Sequence, residues 1–150
     1  MAAGYSGTPL ARKLGIKAGA RVLVQDAPRS YRELIAPMPD GVDLDAPVSQ
    51  ASIIHMFVTQ RTVLARHLQQ ARKKMLPDAA VWVSWPKRTS KVDTDITEDM
   101  IREICLPLGL VDIKVCAVDE IWSGLKLVIR KELRSAGSTP AAPRRATNKK

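Results

Sequence analysis

Side chains that could bind an anion concentrate just after the predicted strands of this 150-residue chain. In an open parallel sheet, ligands bind outside the carboxyl ends of the strands. We therefore expect a binding site formed by the residues that follow the strands: Asp26, Thr59, Ser84, Trp85, Lys87, Arg88, Lys91, Asp119, Glu120, Trp122 and Ser123. The three basic residues among them favour a phosphate or a carboxylate. The predicted helix Thr97–Leu106 begins at the same edge, and its free amides also favour an anion.

These residues also have a purely structural interpretation. Tryptophans such as Trp85 and Trp122 commonly pack in cores and hairpins, and basic loops are commonly solvated. Asp95 and Glu98 stand at the spacing of a helix capping box. The sequence therefore leaves open whether this edge is a binding site or a solvated end of the sheet.

Neither of the two histidines is placed for catalysis. His55 lies in the middle of an apolar run, which is typical of a core histidine, and His67 shares a helix with arginines, which predicts exposure. The motifs H-E-x-x-H, G-x-S-x-G and G-x-x-x-x-G-K-[ST] are absent from the sequence. No cluster has the spacing of metal ligands. We therefore predict no catalytic residue and no metal site, and favour a non-enzymatic protein.

The cysteine pattern favours a reducing compartment. Cys105 and Cys116 have no C-x-x-C partner, so we interpret both as small buried apolar residues. The N-terminal residues lack the apolar segment of a signal peptide, and no apolar run approaches the ~18 residues that a membrane-spanning helix needs. These features predict a cytoplasmic protein with no membrane span.

Apolar periodicity predicts strands that alternate with helices. Ser52–Val58 and Ala79–Trp85 are nearly continuous apolar runs, typical of strands buried on both faces of a parallel sheet. The other predicted strands are Arg21–Gln25, a very short Val42–Leu44, Val111–Val118 and Leu125–Lys131, the last two joined by the hairpin link Asp119–Gly124. The predicted helices are Pro9–Leu14, Ser30–Ile35, Gln60–Leu76 and Thr97–Leu106. This order predicts an α/β domain with helices on both faces of a mostly parallel sheet that ends in an antiparallel hairpin.

The first predicted strand is followed by a loop without glycine. In dinucleotide-binding domains this loop carries G-x-G-x-x-G, because glycine allows the backbone to approach a phosphate closely. Here the loop is Asp26-Ala27-Pro28-Arg29, and no glycine occurs from Ala20 to Leu34. The predicted scaffold resembles that of a cofactor-binding enzyme, but the usual cofactor loop is missing.

A parallel sheet that ends in an antiparallel hairpin resembles the Rossmann-like methyltransferases that use S-adenosylmethionine. Ser52–Val58 resembles the fourth strand of that family, and Met75–Val83 (MLPDAAVWV) resembles the approach to its fifth. The chain departs from the family in its glycine-free loop, its minimal second strand and its lack of an evident third strand. The expected fold is therefore a three-layer, Rossmann-like, degenerate methyltransferase-like sheet, with no motif that supports S-adenosylmethionine as a cofactor.

A closer resemblance covers residues 4–133. The segments SGTPLARKLGIKAGARV (Ser6–Val22), VWVSWPK (Val81–Lys87) and Thr94–Arg130 are similar to an uncharacterised bacterial family of short proteins, known only as a domain of unknown function. The resemblance implies a bacterial cytoplasmic protein. It brings no activity, cofactor or catalytic residue with it.

The charge of the chain is strongly positive and uneven. The formal net charge is +9, and residues 134–150 contain five basic residues and no acid in a composition rich in Ala, Pro, Ser and Thr. We predict one domain over residues 1–133 and a disordered basic tail over 134–150, which could contact nucleic acid weakly. The favoured function is a binding or regulatory domain for an anionic small molecule or a protein partner. A divergent methyltransferase or another nucleotide-cofactor enzyme and a nucleic-acid-associated protein are the alternatives.

Overall fold

The computed structural model describes the backbone of residues 8–137 and the side chains of residues 8–134. Five strands form the sheet: β1 Val22–Gln25, β2 Ile53–Phe57, β3 Ala80–Pro86, β4 Leu110–Ala117 and β5 Trp122–Ile129. They stand in the order β1-β2-β3-β5-β4. β1, β2 and β3 are parallel, whereas β5 is antiparallel to both of its neighbours. The sheet is thus mostly parallel and ends in an antiparallel hairpin, as predicted.

Helices cover both faces of this sheet and make it the middle of three layers. They are α1 Leu10–Leu14, α2 Tyr31–Leu34, α3 Arg61–Lys74, α4 Glu98–Cys105 and α5 Lys131–Gly137, with 3-10 turns at Val48–Gln50, Arg88–Ser90 and Leu106–Leu108. On one face, α1 and α2 bury Leu14 and Tyr31 against Trp82 of β3, whose indole Nε1 donates a 3.0 Å hydrogen bond to the Leu14 carbonyl. On the other face, α3 and α4 bury Leu68 and Ile101.

In place of the predicted minimal second strand, Val42–Leu44, the structure has two isolated bridges, one between Arg21 and Asp43 and one between Leu23 and Asp45. Asp43 pairs with Arg21 in parallel, just before β1. The Val22 amide donates to the Asp43 carbonyl over 2.7 Å, and the Asp43 amide donates to the Ala20 carbonyl over 3.0 Å. The sheet therefore ends, beyond β1, in two isolated bridges instead of a further strand.

The remaining predicted elements differ from the structure mainly at the end of the chain. β5 begins at Trp122 rather than Leu125, because Trp122 pairs with Pro86 at the end of β3. The sequence interpretation missed α5, and it placed Lys131 in a strand. The predicted tail begins inside α5, and residues 138–150 lie outside the described residues, as do residues 1–7.

The capping box predicted for α4 is wrong. Thr97 is the N-cap of α4, since its hydroxyl accepts from the Met100 amide over 3.1 Å. The Asp95 carboxylate instead accepts from the Arg61 amide over 2.7 Å and so caps the start of α3. Glu98 forms an ion pair with Arg102 one turn further along α4. The D-x-x-E spacing predicts a capping box, but Asp95 makes a tertiary contact with α3 instead of capping α4.

No helix in the described part of the chain is both long enough and apolar enough to cross a membrane.

Candidate functional site

The topology brings the ends of four strands to one edge of the sheet. β1, β2 and β3 are parallel, and β4 runs in the same direction because both it and β3 are antiparallel to β5. The segments after Gln25, Phe57, Pro86 and Ala117 therefore leave the sheet on the same side, and β5 begins there at Trp122. This edge, the carboxyl edge, is where the sequence predicts the site.

A cavity of about 430 Å³ opens at the carboxyl edge between the end of β3 and the start of α4. We call it the edge cavity, and its lining residues are Trp85, Pro86, Arg88, Lys91, Val92, Asp93, Thr94, Ile96, Thr97 and Glu98. Three of the predicted site residues, Trp85, Arg88 and Lys91, contribute to this lining. Its volume falls within the range of ~300–1,000 Å³ that is usual for small-molecule sites.

The loop that walls the edge cavity is held by its own hydroxyl groups. The Ser90 hydroxyl donates to the Lys87 carbonyl over 2.6 Å and accepts from the Val92 amide over 3.2 Å. The Thr94 hydroxyl donates to the Thr59 carbonyl over 2.7 Å, which ties the loop to the end of β2. Lys91 adopts a left-handed conformation with φ of 62° and ends the 3-10 turn. These bonds position the loop without using the basic side chains.

The charges around the edge cavity leave two cations available. Arg88 and Lys91 are exposed, and neither forms an ion pair within the described residues. Of the two acids in the lining, Glu98 is paired with Arg102, whereas Asp93 is exposed. The amides of the first helical turn have no intrahelical partner. Thr97 accepts from the Met100 amide, which leaves the amides of Glu98 and Asp99, the first two residues of α4, without an intrahelical acceptor. The cations and the helix start together favour an anion.

Ser84 lies in the core, away from the edge cavity. Its hydroxyl is fully buried, 2.7 Å from His55 Nε2, and Tyr31 Oη lies 2.9 Å from His55 Nδ1. His55 is thus a core histidine with both nitrogens satisfied, as predicted. Burial lowers the pKa of His55 to about 3 and raises the pKa of Tyr31 above its usual value. The imidazole is neutral at physiological pH, and Tyr31, which the sequence interpretation did not single out, completes the chain of three polar side chains.

Aromatic side chains fill the carboxyl edge at the end of β2. Phe57 is buried and stacks on His55 with ring centroids 4.4 Å apart. Tyr31 and Trp122 both meet Phe57 edge-on, at centroid distances of 5.7 Å and 5.0 Å. Trp122 therefore packs in a hairpin-side aromatic cluster, and it does not line the edge cavity.

The other predicted site residues perform local structural tasks. Asp119 accepts hydrogen bonds from the Ile121 and Trp122 amides, each over 2.8 Å, and so shapes the β4–β5 turn. The Lys87 amide donates to the Ile121 carbonyl over 2.7 Å, which joins that turn to the end of β3. Ser123 pairs with Trp85 and Ala117 in the sheet, and Glu120 is exposed in the turn.

Asp26 contacts a histidine instead of the edge cavity. Its carboxylate lies 3.2 Å from Nε2 of His67, which belongs to α3. The His67 side chain is half-buried, so the predicted exposure of this residue is wrong. Asp26 also takes a left-handed conformation with φ of 58°.

The cysteines do not supply a reactive thiolate. Cys105 is buried and Cys116 is half-buried. Burial raises the pKa of Cys105 to about 11, with a smaller contribution from nearby Asp112, and burial also raises the pKa of Cys116. Among the residues that the structure describes, no three His, Cys, Asp or Glu side chains meet in a way that could hold a metal ion.

Sequence reasoning missed several residues of the edge cavity. Asp93 and Thr94 belong to its lining, yet the sequence pattern places them only in a loop, and it includes Thr97 only as the start of the helix whose amides favour an anion. The available signal was the length of the polar segment between β3 and α4. A loop of that length at the carboxyl edge must fold back over the sheet, and its threonines then find backbone partners.

Comparisons with known proteins support the fold. The sequence matches no protein-family model and no curated protein. Its fold is similar to that of a SAM dependent methyltransferase from Aquifex aeolicus, with 13% identity, a TM-score of 0.50, and coverage of 80% of this chain and 87% of that one. It is also similar to the mitomycin 7-O-methyltransferase MmcR (12% identity, TM-score 0.51), of which the match covers 49%, against 74% of this chain. A protein in the NADB-Rossmann superfamily from Streptococcus agalactiae gives 11% identity and a TM-score of 0.51, with coverage of 86% of this chain and 70% of that one.

These likenesses establish a Rossmann-like, methyltransferase-type scaffold. At such low identities they show the fold alone. The predicted membership of an uncharacterised bacterial family stays a prediction, since no family model matches the sequence.

The end of β1 does not fit an adenosyl cofactor in the way a glycine-rich loop does. The loop Asp26–Arg29 carries a side chain at every position, and Pro28 has no amide hydrogen to donate. Its one left-handed residue is Asp26, whose carboxylate is engaged with His67. Next to this loop, buried Tyr31 packs against Phe57 at the end of β2. The backbone amides and open space that such a cofactor needs are not provided by these residues.

Proposed function

We propose that this protein is a non-enzymatic binding or regulatory domain that recognises an anionic small molecule in the edge cavity. The observation that carries the proposal is the pairing of a concave site with two unpaired cations, Arg88 and Lys91. Charged side chains that make no ion pair within the fold are available to a ligand, and their hydrogen bonds to phosphate or carboxylate are among the stronger ones in proteins.

The shape of the edge cavity favours a compact ligand with one anionic group. Trp85 is only 8% exposed, so surrounding residues hold its indole in place, and the part that lines the edge cavity is apolar. The start of α4 and the two cations lie on the polar side of the same cavity. A small phosphate ester or carboxylate with an apolar or planar body matches this division between one apolar and one cationic wall.

The scaffold's resemblance to methyltransferases supports a second candidate, a divergent cofactor enzyme. The arrangement at β1 argues against it, because the glycine-free loop and the aromatic cluster occupy the region where that chemistry would take place. The two candidates differ in where a ligand would bind: beside β3 and α4 for the binding domain, and beside β1 for the enzyme.

Thermal unfolding of the full chain with a ligand panel tests the proposal. The panel contains inorganic phosphate, nucleoside phosphates, acyl-coenzyme A, dinucleotides, S-adenosylmethionine and S-adenosylhomocysteine. A ligand at 100 times its dissociation constant adds about 2.7 kcal/mol to the free energy of unfolding, which is a rise in Tm of roughly 5–10 °C for a chain of this length.

The double variant Arg88→Gln/Lys91→Asn identifies the site. Asparagine tolerates the left-handed backbone at position 91, so we expect this variant to fold and to lose the ligand-induced shift. The control Arg32→Gln/Lys114→Gln removes the same charge from exposed residues of α2 and β4 and keeps the shift. If the edge-cavity variant keeps the ligand-induced rise in Tm, the ligand binds elsewhere. If the ligand in that case is an adenosyl compound, the result favours the enzyme. No shift with any panel member contradicts the proposal.

A further inference from the structure

One exposed face of α3 consists only of cationic and amide side chains. Arg66, Gln69, Gln70, Lys73 and Lys74 follow at helical spacing i, i+3, i+4, i+7 and i+8, so they form one continuous surface, which we call the α3 stripe. All five side chains are exposed. The stripe extends about 12 Å along the helix, at 1.5 Å per residue.

The cations of the α3 stripe are not used by the fold. Within residues 8–134, neither Arg66 nor Lys73 nor Lys74 forms an ion pair. Other basic residues do have structural roles: Arg102 is held by three acids, and Arg72, on the inner side of α3, donates to the Leu108 carbonyl over 2.8 Å. The stripe is therefore a surface that the fold leaves available.

Among the described residues, the acidic contacts to α3 lie away from the stripe. Asp95 accepts from the Arg61 amide at the first turn, and Asp26 contacts His67. α3 itself contains no Asp or Glu. Positive charge on the outer side of the helix is thus not neutralised by its own element.

The residue types of the stripe match phosphate oxygens. Arginine, lysine and glutamine are side chains that proteins use to bind the nucleic-acid backbone, and such contacts orient the protein without reading sequence. A convex stripe of about 12 Å would cover three to four base pairs at 3.4 Å each, which one small anion could not span. No large apolar residue interrupts the stripe, whereas helices that lie in a membrane surface insert aromatic or aliphatic side chains.

The end of the stripe borders a concave surface. Gln70, Lys73 and Lys74 line a cavity of about 430 Å³ together with Leu23 and Gln25 of β1. This cavity is separate from the edge cavity, and it gives the last turn of the stripe a recess into which a backbone phosphate could settle.

We propose that the α3 stripe binds the phosphodiester backbone of a nucleic acid without sequence preference. The surface differs from the edge cavity, so this inference does not depend on the ligand proposed there. The strongly positive net charge of the chain, +9, brings polyanions toward it.

Fluorescence anisotropy with labelled duplex DNA and labelled RNA hairpins of random sequence tests the inference on the full chain. Binding is measured between about 50 and 200 mM salt, where each phosphate contact to duplex DNA contributes about 0.9 to the slope of log affinity against log salt. The variant Arg66→Gln/Lys73→Gln removes two contacts, so its slope should be shallower by about 1.8. The control Arg32→Gln/Lys114→Gln has the same net charge and the same basic C-terminal residues, and it should keep the wild-type slope.

Several results would overturn the inference. An equal change of slope in both variants would show that net charge alone drives binding, and an unchanged slope in the stripe variant would place the contacts elsewhere. Wild-type protein that binds phosphatidylserine vesicles but neither nucleic acid would identify a membrane surface instead. The relative affinity for the DNA and the RNA probes identifies the backbone that is bound. Thermal unfolding of both variants confirms that they are folded.

Discussion

The buried imidazole of His55 makes the stability of this fold depend on pH. In the folded protein, burial holds its pKa at about 3, whereas an unfolded chain has a histidine pKa of about 6.5. Below pH 6.5 the unfolded chain therefore binds more protons at this position than the folded chain. Linkage then requires the free energy of unfolding to fall as the pH falls, beginning near pH 6.5 and continuing toward pH 3.

The size of this effect follows from the difference in pKa. Each pH unit in this window costs about 1.4 kcal/mol for one group. Between about pH 7 and pH 5 the expected loss of stability is about 2 kcal/mol, and most carboxylates remain ionised over that range. Urea unfolding at several pH values measures the loss as a decrease in the transition midpoint with an unchanged m-value.

Matched histidine variants assign the effect. His55→Gln retains an amide that can bond to Ser84 and Tyr31, and it should show almost no change in stability between pH 7 and pH 5. His67→Gln removes the other histidine and leaves the His55 contribution in place, so it serves as the comparison. If His55→Gln does not fold, ¹⁵N chemical shifts of the wild-type imidazole provide the test, since His55 should remain neutral at pH 5. An imidazole that becomes protonated above pH 5 in the folded protein would refute the reasoning.

Three further predictions concern single contacts and are measured by urea unfolding. Ser84→Ala leaves Nε2 of His55 without a partner in the core and should cost about 1–3 kcal/mol; a cost below about 0.5 kcal/mol would show that the bond contributes nothing. Asp95→Ala removes the carboxylate at the start of α3 and should cost about 1 kcal/mol, and Asp95→Asn should cost less. Gly109→Ala places a Cβ 2.5 Å from Leu133 Cδ1 at a φ of +84°, and the left-handed strain alone should cost about 1–2 kcal/mol. Adding Leu133→Ala should remove the steric clash but not the backbone strain at position 109. Complete recovery of the free energy of unfolding in the double variant would therefore contradict the strain.

The central strands could be predicted because strands that are buried on both faces have almost entirely apolar sequences. Each residue of β2 and β3 is buried, and their sequences are accordingly almost continuous apolar runs. The start of β5 could not be predicted in this way, because Trp122 and Ser123 belong to the strand through pairing with neighbouring strands and not through an apolar run. Asp119 offered a local signal, since its side chain accepts from two amides of the turn and so shortens it.

The position of the candidate site was predictable, but its composition was only partly so. Parallel topology fixes the edge, whereas strand alternation decides which side chains face the edge cavity. Ser84 and Trp85 are neighbours, yet Ser84 bonds to His55 on the α1–α2 side and Trp85 packs with Ile96 on the α4 side. Attention to this alternation would have separated the two residues. The capping of α3 by Asp95, by contrast, depends on a tertiary contact that no local pattern contains.

The two surfaces proposed for binding lie where the fold leaves the sheet and α3 open to solvent. The sheet ends at β1 with two isolated bridges, and the edge beside β1 and β2 is closed by Tyr31, Phe57 and Trp122. What stays open at the carboxyl edge lies on the other side, where β3 meets α4. The last turn of α3 borders a second cavity beside β1, which Leu23 and Gln25 help to line. The edge cavity and the α3 stripe each combine exposed, unpaired cations with a concave surface, and these are where we expect ligands to bind.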